Sequence, residues 1–275
     1  MNKKIELKFM RSIINYHFGP QKVKLLDNMW YKDYEVEPDD DCIGIYKICN
    51  IIKNFNKQLD EKEIINIYNL LIPSKSKKEI NTYSLNNAIN YVNNNTDIKS
   101  ILNYFRINPI FEDYSFDMSV IIYNIFYFKK YKNFFVLHHI FKNDIYDSLK
   151  NNSQEKYTEV MNKIIEKNQS YNIKRPIKNI DYFKEKVLEI PKNHLDFFNI
   201  DHIYIFGSYA KKRNDNYSDV DLHIISHLNC FLIQQGIILS DYFSKLFKIK
   251  VDVNVTTSII SESNKALFDK EIKIL

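Results

Sequence analysis

From Leu59 to Leu71 the apolar residues Ile64, Ile65, Ile67, Tyr68, Leu70 and Leu71 recur at helical spacing, with Asp60-Glu61 in the first turn and Pro73 beyond the last. This pattern predicts a helix. Similar amphipathic stretches cover about 41–56, 84–92, 116–131 and 153–167, with Asp40 or Asp41, Ser84 and Ser153 as N-caps. Strand-like alternation is nearly missing before residue 200, so roughly the first 170 residues predict a helical domain.

The stretch from Asn168 to Pro176 loses the helical period and carries turn formers, which places a domain boundary there. A helix is expected from about Asp181 to Phe198, with a break at Pro191. The pattern then changes. An apolar run Ile203–Phe206, a strand over 219–225, a helix around 231–247, a strand over 250–255 and a last helix over 260–272 predict a small α/β domain with three strands.

Composition adds limits. The chain has 275 residues with 45% hydrophobic content, enough for two ordinary domains with packed cores. Asn, Ile, Lys, Tyr and Phe are abundant and Gly is scarce, as an AT-rich coding sequence would produce. That bias weakens any functional reading of single Lys or Tyr residues. The net charge of +5 suits a phosphate-bearing partner only weakly, and the densest basic run, Lys75-Ser76-Lys77-Lys78, reads as a solvated loop. Cys42, Cys49 and Cys230 cannot all pair and form no C-x-x-C motif, so reduced thiols are expected. The charged N-terminus does not read as a signal peptide, and no apolar stretch approaches the ~18 residues of a membrane span. The expectation is a soluble, cytoplasmic protein without a membrane partner.

The candidate chemistry lies in the last third. The run Ile203–Phe206 leads into Gly207-Ser208, where a glycine lets backbone approach a ligand and the Ser208 hydroxyl is a donor near a helix start. In Ser218-Asp219-Val220-Asp221-Leu222, residues i and i+2 of a strand share one face. Asp219 and Asp221 therefore sit together, with Val220, Leu222 and Ile224 on the core side. Adjacent carboxylates repel without a counter-ion, and Mg²⁺ or Mn²⁺ prefers such hard oxygen ligands. Two ions about 3.5–4 Å apart can clamp a triphosphate. In Lys250–Val255 the valines face one way and Asp252 the other. If this strand neighbours the first, Asp252 joins the metal ligands and assists the incoming hydroxyl. His223 shares the face of Asp219 and Asp221 and reads as a strand histidine. His138-His139 read as core histidines, and neither a Walker A loop nor a Gly-x-Gly-x-x-Gly is found.

Gly207-Ser208-Tyr209-Ala210, the eight-residue gap Lys211–Ser218 and Asp219-Val220-Asp221-Leu222 together resemble the signature of DNA polymerase β-like nucleotidyltransferases, closest to the small stand-alone members. The resemblance covers about 180–275, including the Asp252 strand and the Asn264–Phe268 segment as a closing helix. It implies catalytic and metal-binding roles for Asp219, Asp221 and Asp252, and nucleotide contacts from Gly207, Ser208, Ser218 and Lys211. The family often carries Ala-Arg-Gly where this chain has Ala210-Lys211-Lys212, so the loop loses a glycine.

Residues 40–167 also resemble a Fic domain, through the Leu59–Leu71 helix, the Ile107–Phe116 stretch, the apolar helix after it and a Tyr146-centred segment before a final helix. Active Fic domains carry His-Pro-Phe-x-(Asp/Glu)-Gly-Asn-Gly-Arg there. This chain keeps only Pro109 and Glu112; Asn108 replaces the base, Asp113-Tyr114-Ser115 the phosphate cradle and Phe116 the arginine. The resemblance implies a Fic-like scaffold without Fic chemistry.

The resulting expectation is an α+β chain: a helical, degenerate Fic-like domain over 1–172, then a nucleotidyltransferase domain with a mixed sheet over 178–275. Its expected reaction moves NMP from an NTP, expected to be ATP, to a protein hydroxyl (AMPylation). Relatives of this compact type modify proteins, transfer-RNA 3′ ends or small molecules such as aminoglycosides, and several belong to toxin–antitoxin or defence modules. RNA 3′ ends as acceptor, or a catalytically silent antitoxin or binding subunit, are the alternatives.

Overall fold

A computed structural model describes residues 3–31, 39–73, 80–227, 232–257 and 270–275. The basic run 75–78, Cys230 and the expected closing helix at 264–268 lie outside them. The chain divides into two units, Met1–Asn172 and Ile173–Leu275.

The first unit is helical: α1 (Lys3–Tyr31), α2 (Asp40–Asn54), α3 (Glu61–Leu71), α4 (Thr82–Asn94), α5 (Ile98–Ile107), α6 (Ser115–Tyr131), α7 (Lys142–Lys150) and α8 (Gln154–Ser170). α1, α5 and α7 had not been read from the pattern; α1 kinks at Gly19, which interrupts its period. Two caps need correction. Asp39, not Asp40 or Asp41, accepts from the Cys42 N–H, and Asn81, not Ser84, accepts from the Ser84 N–H. Ser153 does cap α8. α6 buries residues all round its surface, among them Phe116, Met118, Val120, Ile121, Ile122 and Ile125, and is the centre of the core.

Between α6 and α7 the segment Phe134–Leu137 is buried and pairs with no strand among the described residues. Its backbone polar groups must pair elsewhere. Asn124 Oδ1 accepts from the Phe135 N–H at 2.8 Å, and Asn124 Nδ2 donates to Phe135 O at 3.0 Å. Asn168 treats Val136 the same way, at 2.8 and 2.9 Å. Two asparagine side chains thus replace a β-ladder. Asn168 therefore belongs to α8 and the core, not to the linker in which the loss of period had placed it.

His138 meets the Tyr171 hydroxyl at 3.0 Å, and burial lowers its pKa to about 4. His139 lies 2.5 Å from the fully buried Asp117, an acidic partner that sequence neighbours did not reveal. Cys42 and Cys49 are buried free thiols on α2, and burial pushes the Cys42 thiol up to about 12.

In the second unit, α9 (Ile180–Leu188) and α10 (Lys192–Phe197) are separated at Pro191, as expected. They precede a mixed sheet of β1 (Ile200–Phe206), β2 (Val220–Ser226), β3 (Val251–Thr256) and β4 (Ile272–Lys273), in the order β3-β2-β1-β4. β4 corrects the three-strand expectation: Ile272–Lys273 pairs antiparallel with β1 instead of ending a helix. β1 and β2 are antiparallel, whereas β2 and β3 are parallel and joined through α12 (Leu232–Phe247), since a parallel pair needs a crossover. Ile203, Ile205, Val220, Leu222, Ile224 and Val251 form a core with Phe183, Leu239, Phe243 and Phe247. No helix among the described residues is long and apolar enough to cross a membrane.

Asn168→Ala is expected to leave both the N–H and the C=O of Val136 buried without their partner, at about 1–3 kcal/mol each. Urea unfolding of the full chain should show a loss of about 2–6 kcal/mol for the two groups together, and Asn168→Asp, which keeps the acceptor, should recover part of it.

Candidate active site

β1 ends at Gly207, whose φ of 69° lies in the left-handed region that glycine enters freely. A Cβ there would stand 2.1 Å from Asp221 Oδ2 and 2.9 Å from Asp221 Cγ. The absent side chain is the space the carboxylate occupies. The helix expected after Gly207-Ser208 is a single turn, α11 (Gly207–Ala210), with Ser208 half-buried.

The loop from Lys211 to Asp219 is tied into a compact shape. The Arg213 N–H donates to Ser208 O at 2.8 Å, and the Asp215 N–H donates to Ser218 Oγ at 2.9 Å. Ser218 Oγ in turn donates to Asp215 Oδ1 at 3.1 Å. Ser218, expected to touch the nucleotide, is buried and turned into this loop. Lys211 is half-buried at the end of α11, and Lys212 takes the left-handed conformation with φ 54°.

Register does the rest. Phe206 pairs with Asp221 across β1 and β2, and Asp221 pairs with Asp252 across β2 and β3. Gly207, Asp221 and Asp252 thus meet at one end of three neighbouring strands, with Asp219 two residues before Asp221 on the same face. β3 is an edge strand, so its outward N–H groups need partners. Ser244 Oγ accepts from the Val251 N–H at 2.9 Å and Ser240 Oγ from the Val253 N–H at 3.1 Å, one helical turn apart on α12. A slip of one residue would turn Asp252 to the core face, and these two serines oppose it.

The electrostatics are shared with two cations. Arg175 Nη1 lies 3.1 Å from Asp219 Oδ1, and Lys250 Nζ lies 3.4 Å from Asp219 Oδ2. Lys250 Nζ is also 3.1 Å from Asp252 Oδ1. Burial alone would lower the Lys250 pKa, but attraction to Asp219 and Asp252 outweighs it and leaves the value raised. Neither cation had been read as part of the site. Lys250 was findable, because it stands two residues before Asp252 on the same strand face; Arg175 lies in the stretch read as linker and carried no signal.

Among the described residues no three His, Cys, Asp or Glu side chains converge as a ready metal cluster. The donor set nevertheless fits a hard divalent cation. Three carboxylates occupy neighbouring positions, and the Lys250 ammonium already bridges two of them as a stand-in cation. His223 is fully buried, 2.5 Å from Glu271 Oε1 and 2.6 Å from Thr256 Oγ1, which ties β2 to β3 and to the residue before β4. It braces the sheet on the carboxylates' own face, farther along β2.

No curated protein and no solved structure matches the chain. The family model described as "Polymerase beta, Nucleotidyltransferase" matches residues 185–274, the stretch that holds Gly207, Asp219, Asp221 and Asp252. Residues 185–274 are a nucleotidyltransferase domain of the polymerase beta family.

Proposed function

We propose that the protein transfers NMP, with AMP favoured, from an NTP to a hydroxyl of a protein acceptor. The observation that carries this reading is the register that sets Asp221 beside Asp252, next to Asp219 and a Cβ-free Gly207. Mg²⁺ or Mn²⁺, held by Asp219, Asp221 and Asp252, would neutralise the triphosphate and the pyrophosphate leaving group when bound.

The chain's own residues supply the remainder. Gly207 lets backbone come close to the phosphates, and Ser208 and Lys211 donate to them. Ser218 serves the nucleotide through the loop it closes on Asp215. Asp252 accepts the proton of the acceptor hydroxyl as its oxygen bonds to the α-phosphorus and the bond to the β-phosphate oxygen breaks. A protein acceptor is favoured over RNA because the sequence, at net charge +5, shows no long basic stripe. Incubation with labelled NTPs, Mg²⁺ and cell lysate, resolved on separate protein and RNA gels, tests the assignment. Label on RNA alone would replace the acceptor, and label on neither would overturn the activity.

Asp219→Asn and Asp221→Asn are each expected to abolish transfer. Asp221→Asn should leave the melting temperature unchanged or slightly higher, because repulsion is relieved, whereas Asp219→Asn should lower it, because the ion pairs with Arg175 and Lys250 are lost. Asp252→Asn should lower kcat more than NTP binding, by about 10²–10⁴-fold. Activity of the Asp219 or Asp221 variant at the wild-type level, or activity in excess EDTA, would remove the metal assignment.

Gly207→Ala should be as damaging as loss of Asp221. The new Cβ overlaps the carboxylate oxygen, and the φ of 69° adds backbone strain of about 1–3 kcal/mol. Wild-type turnover in this variant would show that Asp221 need not hold its position.

The first unit is proposed to select the acceptor, with a Fic-like scaffold that performs no transfer. Asn108 and Pro109 border a groove of about 480 Å³ together with Asn81, Tyr83, Asn87 and Tyr104, and Tyr83 is largely exposed. Such a groove of amides and aromatic rings suits an extended peptide segment. Tyr83→Ala with Asn108→Ala should raise KM for the acceptor and leave NTP affinity unaltered. An unchanged acceptor KM would reduce this unit to packing.

A further inference from the structure

We propose that Arg175, outside the stretch that matches the family, is a positioning residue: it fixes the carboxylate of Asp219 in the orientation that holds the metal. The proposal rests on the metal-dependent reading above.

Asp219 stands one residue before the β2 ladder, whose first pairs are Val220 with Val251 and Asp221 with Asp252. Sheet hydrogen bonds fix the Asp221 backbone on both sides, but they stop short of Asp219. Its carboxylate orientation therefore depends on side-chain partners. One is Lys250, whose flexible side chain is 46% exposed and is shared with Asp252. Another is Arg175, only 9% exposed.

Arg175 is anchored by backbone at both ends. Its N–H donates to Asn216 O at 2.5 Å. Its Nη1 donates to Tyr217 O at 3.0 Å and to Ile173 O at 3.3 Å, while lying 3.1 Å from Asp219 Oδ1. The backbone N–H of Arg175 thus holds the Asn216 carbonyl, and its guanidinium holds the Tyr217 carbonyl and faces the carboxylate of Asp219 two residues on. A guanidinium whose Nη1 is already held by two main-chain carbonyls loses little further freedom in doing so. The two cations have different tasks. Lys250 occupies the space between two carboxylates and can swing to solvent when a metal arrives. Arg175 approaches Asp219 from the strap behind it, bonded to main chain, and stays. An arginine and a metal can share a carboxylate, since its two oxygens offer about four lone-pair sites.

Partners of this kind, bonded to a ligand rather than to the metal, typically change metal affinity or activity by about 10–100-fold when removed. In the full chain, Arg175→Gln should weaken Mn²⁺ binding, read from the free-Mn²⁺ signal in electron paramagnetic resonance, by about that factor. The half-activating Mg²⁺ concentration should rise in parallel, while KM for NTP at saturating Mg²⁺ changes little. Arg175→Lys keeps the charge but ends in a shorter chain with a flexible ammonium in place of the planar guanidinium, so it should recover only part of the affinity. It carries the test if Arg175→Gln does not fold. In an Asp219→Asn background, Arg175→Gln should add no further loss of Mn²⁺ affinity. Unchanged Mn²⁺ affinity in both Arg175 variants overturns the positioning role, as does a full additional loss in the Asp219→Asn background. Wild-type protein that binds no Mn²⁺ overturns the metal reading itself, a separate result.

Discussion

Three carboxylates brought to one end of a four-stranded sheet are the constraint around which the second unit is built. Two unit charges 4 Å apart interact by about 1 kcal/mol in water and about 4 kcal/mol near a protein surface. At such a separation, repulsion between unbalanced carboxylates would rival the contribution of a buried aliphatic side chain. The fold answers it locally. Arg175 and Lys250 bring two positive charges to Asp219 and Asp252, and Gly207 gives Asp221 the volume of a missing side chain.

Holding the carboxylates together also requires that two strands keep register, and here packing and hydrogen bonding divide the work. Leu222 and Ile224 of β2 are fully buried, so a slip of β2 would drive Asp221 into the core. β3 is less protected, because it is an edge strand and Val253 and Val255 are only half-buried. Its register is instead pinned from α12 by Ser240 and Ser244. At Gly236 a Cβ would come within 3.2 Å of Val253 O, so the helix lies close against the strand. His223 adds a crosslink on the opposite face by joining Thr256 and Glu271. The crossover helix therefore positions the third carboxylate without touching it.

What the sequence disclosed and what it withheld follow from the range of the interactions. Strand alternation put Asp219 with Asp221 and turned Asp252 away from its valines, and the ladder pairs Asp221 with Asp252. Helices with a clear period, such as 61–71 and 154–170, were legible, and only the caps of α2 and α4 shifted, by one to three residues. β4 was not, because two residues give no period and their strand character comes only from pairing with β1. Ser208 and Ser218 looked alike as hydroxyls near a phosphate site. Only the fold separates them, because Ser218 closes a turn on Asp215. The Asp117–His139 pair spans 22 residues and the His223–Glu271 pair 48, separations that no local pattern encodes.

The segment between the units makes the same point for domain boundaries. Loss of helical period from Asn168 to Pro176 looked like a linker, yet its residues divide between two tasks. Asn168 completes the backbone hydrogen bonds of Val136 in the first unit. Arg175 straps the loop before β2 in the second and reaches Asp219. Periodicity reports whether a stretch presents an apolar face, and it is blind to side chains whose work is to satisfy backbone groups. Asparagine and arginine do that work here, so a stretch that reads as spacer holds part of the first core and part of the second unit's charge balance. A boundary drawn at residue 178 would separate Asp219 from the cation that faces its Oδ1, even though it keeps the whole of the stretch that matches the family.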